Sequence, residues 1–139
     1  MGIRPVEGLS ATVGLYSQAI PVPAGSTLLF VSGQLSVDPE GNVVGENDFP
    51  TQYRTVFENL MSVVRGSGGG PEDLVKMTTY LVDAKHVTAF YEAREGLYSD
   101  LFPTGVYPGN TLLVVQRLVR PEFLIEIEAV AAIPERSSN

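Results

Sequence analysis

Residues 74–82, LVKMTTYLV, carry the reading that decides the fold. They are rich in β-branched and aromatic side chains and are bounded by Pro71-Glu72-Asp73 and Asp83, so they read as a strand. Successive side chains of a strand point to opposite faces. Val75, Met77, Thr79 and Leu81 then share one face and Leu74, Thr78, Tyr80 and Val82 the other, which makes both faces largely apolar. A strand of this kind belongs in a sheet that is covered on two sides.

The neighbouring segments say what can do the covering. Upstream, Asn47-Asp48-Phe49-Pro50 combines a capping side chain with an early proline and announces a helix. Tyr53, Val56, Phe57, Leu60, Met61 and Val64 follow at the spacing of one apolar helix face. The glycine-rich run from Gly66 to Gly70, closed by Pro71, ends that helix. Downstream, Asp83 is placed to cap a second helix reaching about Phe102, with Val87, Phe90, Tyr91, Leu97, Tyr98 and Leu101 as its stripe. Residues 18–23 and 27–37, joined across Ala24-Gly25-Ser26, read as an opening pair of strands. Residues 111–118 and 123–132 read as a closing pair, with Val119-Arg120-Pro121-Glu122 as their hairpin. The order β-β-α-β-α-β-β predicts an α+β domain, a mixed sheet with two helices packed on one face. Two helices cover one face only, so the other predicts association between subunits.

The 139 residues, 44% hydrophobic, suffice for one core, and residues 1–139 read as a single domain. Nine basic against sixteen acidic residues give a net charge of −7 with no Lys/Arg cluster, which disfavours nucleic acid and acidic membranes as partners. The absence of cysteine rules out disulfides, thiolate metal sites and a cysteine nucleophile. No secretory pattern or bilayer-length apolar run is present, and a cytoplasmic protein is expected.

Few residues carry candidate chemistry. Glu126 and Glu128 alternate with Ile125 and Ile127 in the last strand, so both acids project from the side opposite the aliphatic run. They read either as rim residues meeting solvent or an arginine, or as carboxylates in a cleft between subunits. His86, the only histidine, reads as an exposed titrating residue and has no second histidine or cysteine with which to hold a metal. The glycine run after the first helix lacks the lysine and hydroxyl of a phosphate loop, and no serine stands in a nucleophile elbow. Arg54, Arg94, Arg117 and Arg120 read as surface or ion-pair residues, any of which could anchor an anion from a neighbouring subunit.

An ordered set of motifs resembles the Rid (reactive intermediate deaminase; YjgF/RidA/RutC) family. It comprises Gly14-Leu15-Tyr16-Ser17-Gln18-Ala19, Val31-Ser32-Gly33-Gln34, Asp38-Pro39-x-Gly41, Glu58-Asn59-Leu60, Asp73-x-Val75-Lys76-x-Thr78-x-Tyr80-Leu81 with Asp83, and Ile125-Glu126-Ile127-Glu128-Ala129. The set spans a core of about residues 14–134 between short flexible ends. The resemblance implies a chorismate mutase-like fold and a homotrimer whose sheets form a central barrel with three interfacial clefts. It also implies cofactor-free, metal-free hydrolysis of a small reactive imine or enamine, with Glu126 activating water and Tyr16 closing the cleft. Ser32 and Gly33 match the tight segment beside that cleft, although a glycine there also suits a bulge. Where active relatives carry an arginine that grips the substrate carboxylate, this chain has Asn110, and two residues on it has Leu112 in place of a frequent cysteine. A neutral amide lacks a charge-assisted bidentate grip, so a substrate more neutral or more apolar than a 2-iminoacid is expected. A non-catalytic binding or regulatory trimer on the same fold is the alternative.

Overall fold

The computed structural model describes residues 7–135, and the short flexible ends expected from the sequence lie in large part outside the described residues. Strand β1 is Thr27–Gln34, helix α1 Phe49–Gly66, β2 Leu74–Leu81, α2 Val87–Leu101, β3 Gly109–Val114 and β4 Ile125–Ile133. One four-stranded sheet has the order β1-β4-β2-β3, with β4 antiparallel to both neighbours and β3 parallel to β2.

Helix α1 forms as its sequence predicts. The Asp48 side chain accepts the Thr51 amide at 3.2 Å, and all six residues of the apolar stripe are buried. They pack against Leu74, Met77 and Leu81 of β2 and Ile125, Ile127, Ala129 and Ala131 of β4, which supply the sheet's share of the core. Rings extend that core between the helices. Tyr53 meets Phe90 edge-on at 5.6 Å, and Tyr98 meets Phe57, Phe102 and Tyr107 at 6.1, 4.7 and 5.6 Å. Asn59 of α1 donates to the carbonyls of Leu35 and Val37 at 3.0 Å each, tying the loop after β1 to the helix.

Several expectations are corrected. Residues 18–23 form no strand, because Pro21 and Pro23 lack the N–H groups a ladder needs, and β1 pairs with β4 alone. That segment's approach instead runs past β3, where Ser17 donates through its amide to the Pro108 carbonyl at 3.1 Å and through its hydroxyl to the Tyr107 carbonyl. The two closing strands are not a hairpin, since β4 inserts between β1 and β2. Arg117 donates to the carbonyls of Leu118 and Val119, and Gln52 of α1 holds both the Glu122 carbonyl and the Leu124 amide, which carries the chain across to the centre. Asp83 caps a short 3-10 turn, Ala84–His86, by accepting the Lys85 amide at 2.9 Å, and α2 begins only after it. His86 is half-buried rather than exposed and stacks on Phe49 at 4.8 Å, where burial lowers its pKa.

The second face of the sheet also differs from the expected apolar wall. A register shift between Leu74 and Lys76 puts Leu74 in the core with Met77, Thr79 and Leu81, leaving Lys76, Thr78 and Tyr80 facing outward. The open face is therefore polar along its middle and apolar along its margins, where Phe30 is 73% exposed and Leu28 and Leu113 are half-exposed.

Candidate functional site

Two groups of predicted site residues emerge, on opposite sides of the sheet. The first is on the open face. Glu126 of β4 stands opposite Tyr80 of β2, and Glu128 stands opposite Thr78. The Tyr80 hydroxyl donates to Glu128 Oε1. That bond, more than burial or the acidic charges nearby, holds the Tyr80 phenol above its ordinary pKa. Burial, then the charge on Glu128, pushes the Glu126 carboxyl up from its ordinary value. Among the described residues, Glu126 has no ion-pair partner to reverse that shift.

Gly33 has a geometric reason to be glycine. A Cβ at that position would lie 1.9 Å from Glu126 Oε1, so the carboxylate rests directly over the β1 backbone. The register shift between Val31 and Gln34 brings the segment there, and the bulge and the close approach are one feature. Ser32, one residue earlier, lines an open-face groove with Lys76, Thr78 and Glu128. Gly33→Ala should leave the melting temperature within about 2 °C while lowering any Glu126-dependent turnover about tenfold or more, because only the flexible carboxylate end must move. A thermal melt beside a rate measurement checks this.

The second group lies at the β3 edge. Tyr16, Asn110 and Leu112 line one cavity of about 170 Å³ with Val13, Phe90, Tyr91 and Arg94. Asn110 pairs with Met77 in register, and its Oδ1 accepts the Thr79 hydroxyl at 3.0 Å, so it faces the helices. Glu126 pairs with Tyr80, three residues along β2 from Met77, and therefore faces the other way. Within one chain the two groups do not meet.

Arg94 was not expected here. It is only 2% exposed, with its Cζ 4.8 Å from the Phe90 ring centroid and 5.2 Å from that of Tyr91. The signal was available in the sequence, since 94 falls between the buried aromatics 90 and 98 at helical spacing. Arg54, Arg117 and Arg120 are surface residues as expected, Arg120 lying 3.6 Å from Glu122. Among the described residues no group of three or more His, Cys, Asp or Glu side chains is arranged to hold a metal ion, and no helix is long and apolar enough to cross a membrane.

An open-faced mixed sheet backed by two helices, with a desolvated carboxylate on one side and a small cavity at its edge, defines an α+β protein of the Rid fold. The chain belongs to the Rid/YjgF/RutC family. The family model described as Endoribonuclease L-PSP matches residues 8–133. RutC family protein slr0709 of Synechocystis is 34% identical over 125 residues, covering 89% of this chain and 90% of that protein. The structure of YyfB, a Rid protein of unknown function from Yersinia pestis, matches with a TM-score of 0.82 at 31% identity, over 96% of this chain and 98% of that one. E. coli TdcF, solved with bound serine, matches with a TM-score of 0.69 at 29% identity, over 91% of each chain. Membership supports a deaminase-like or regulatory role acting on small molecules.

Proposed function

We propose that the protein is a cofactor-independent hydrolase of small reactive imines or enamines, acting as a homotrimer at clefts between subunits. The observation that carries this reading is Glu126, an acid with a raised pKa, placed over the backbone of Gly33 and free of an ion pair among the described residues. A carboxyl so poised can serve as both proton donor and proton acceptor. Protonated, it delivers a proton to the imine nitrogen; ionised, it takes one from the water whose oxygen bonds to the imine carbon. The tetrahedral carbinolamine then receives a proton at nitrogen from the carboxyl, the C–N bond breaks as C=O forms and the hydroxyl proton returns to the carboxylate, and a carbonyl compound and ammonia leave. An enamine enters the same sequence after protonation at carbon.

The separation of the two residue groups supports the oligomer. Tyr16 and Asn110 can orient a substrate for Glu126 only if the β3 edge of one subunit lies against the open face of another. The exposed apolar side chains of Leu28, Phe30 and Leu113 supply area for that contact. Asn110 offers a ligand its amide donors, while its Oδ1 already accepts one hydrogen bond from Thr79. That engagement is what favours the second reading, a non-catalytic small-molecule-binding or regulatory trimer. The net charge of −7 argues against RNA as substrate for either form. The serine bound by TdcF places a small amino acid among the ligands of a similar protein. A panel of imines, generated in place by amino-acid and amine oxidases, tests the hydrolase. Faster ammonia release with the protein present is expected, and no acceleration across the panel leaves the binding reading in its stead. Sedimentation equilibrium at three times the chain mass is expected alongside, and a monomer would remove the shared cleft.

A further inference from the structure

From the cavity at the β3 edge we infer that Arg94 forms an anion site, contained within one subunit, which binds a small organic carboxylate. Arg94 is nine-tenths and more buried, and its Nε is shut off from solvent with no hydrogen-bond partner. Among the described residues its guanidinium meets no carboxylate, the ion pairs there being Lys85 with Asp83 and Arg120 with Glu122. A buried charge in that state is costly, and proteins retain one where something compensates it.

The rings of Phe90, Tyr91 and Tyr98 offset part of the cost, lying 4.8, 5.2 and 5.8 Å from Cζ. A ring face attracts the cation but does not replace the acceptor oxygens that five N–H donors require. The missing acceptor is an anion, and the place for it is the adjoining cavity of about 170 Å³, which Arg94 lines with Tyr16, Asn110 and Leu112. The size suits a ligand of few heavy atoms. Its chemistry is equally restricted, because a planar guanidinium matches a planar carboxylate, while Leu112 and Val13 suit an apolar body.

The chain leading into the site is built around that side chain. A Cβ on Gly14 would stand 2.6 Å from Arg94 Nη2 and 3.2 Å from the Tyr91 ring, so only glycine lets the segment carrying Tyr16 close over the guanidinium. The sequence-based expectation of a more neutral or more apolar ligand rested on Asn110 and Leu112. With Arg94 in the same cavity, a positive group is supplied from α2 instead. The site shares Tyr16 and Asn110 with the proposed catalytic cleft and to that extent rests on that reading, but it requires no turnover.

The test uses the intact protein with benzoate as probe and benzamide as its neutral isostere, followed by calorimetric titration and thermal melts. Benzoate is expected to bind and raise the melting temperature, and benzamide to bind at least tenfold more weakly. Arg94→Met should weaken benzoate binding on the order of 10- to 100-fold without lowering the melting temperature of the free protein. Arg94→Lys, which keeps the charge and serves if the methionine variant does not fold, should lose part of the affinity with the planar grip. Equal binding of benzoate and benzamide, or of benzoate by wild type and either variant, overturns the site. So does a wild type blind to benzoate in which Arg94→Met melts markedly lower, the pattern of an arginine paired with a neighbouring subunit. Benzoate binding without imine hydrolysis would remove the hydrolase reading and keep the anion site; hydrolysis of neutral imines without benzoate binding would do the reverse.

Discussion

Gln52→Leu is expected to lower the stability of the fold by about 3 kcal/mol, a fall in melting temperature on the order of 10 °C. Gln52 is fully buried in the first turn of α1. Its Nε2 donates to the carbonyls of Gly45 at 3.2 Å and Glu122 at 2.8 Å, and its Oε1 accepts the Leu124 amide at 2.9 Å. Leucine matches the volume and adds apolar burial, but it leaves the part-buried Leu124 amide and Glu122 carbonyl without this partner, while the Gly45 carbonyl keeps the Asp48 amide. Each such group costs about 1–3 kcal/mol, more than the added methyl groups return. The loss should be local as well as global. Amide exchange at Leu124 is expected to accelerate before that of the β2 and β4 centres, because the Gln52 clamp carries the chain from β3 to the middle of the sheet. A change below about 1 kcal/mol, measured by denaturant titration, would mean that the connection is held by other contacts.

Glu126→Gln is expected to reduce kcat/KM for any imine the protein hydrolyses by about 10²- to 10³-fold, since a side-chain acid–base group typically contributes on that scale. The fall should lie mainly in kcat, because glutamine keeps the shape and the hydrogen-bonding reach. Stability should move the other way. Burial and Glu128 raise the folded carboxyl above its unfolded value, so the protonated form is the one the fold favours. Its contribution is therefore complete below the unfolded carboxylate range and lost as the pH rises through the folded pKa. At pH 8 the ionised group weighs against the fold, and the glutamine variant should melt about 1–2 °C higher, the modest size reflecting solvent screening. The gap should close near pH 4. Melts across that range, with rates on the same samples, check both halves. Full turnover by the variant would take Glu126 out of the chemistry, and a gap that widens on acidification would reverse the sign argued for its pKa.

These expectations draw on parts of the molecule that were unequally legible. Helix α1 could be read almost residue by residue, because its cap is local and a 3.6-residue repeat reports its own buried face. Glu126 was legible as an outward-pointing acid for the corresponding reason in a two-residue repeat. Arg94 was misread as a surface residue because charge is normally a sign of exposure, and the aromatic partners that surround it come into range only when α2 packs. The two-faced reading of residues 74–82 overstated the apolar character of the open face, because the register shift beside Leu74 turns that leucine into the core and Lys76 shares the face of Thr78 and Tyr80.

Local spacing and composition were thus enough to establish an α+β domain, the helices with their buried stripes, the family motifs in order, and Glu126 on the side away from the aliphatic core. Those features depend on neighbours a few residues away in the chain. The position of β4 between β1 and β2, the clamp by Gln52, the carboxylate resting on Gly33, and the gathering of Tyr16, Arg94 and Asn110 around one cavity were decided by tertiary structure alone. Each joins residues far apart in sequence through packing and hydrogen bonds, and no short-range periodicity encodes such a contact.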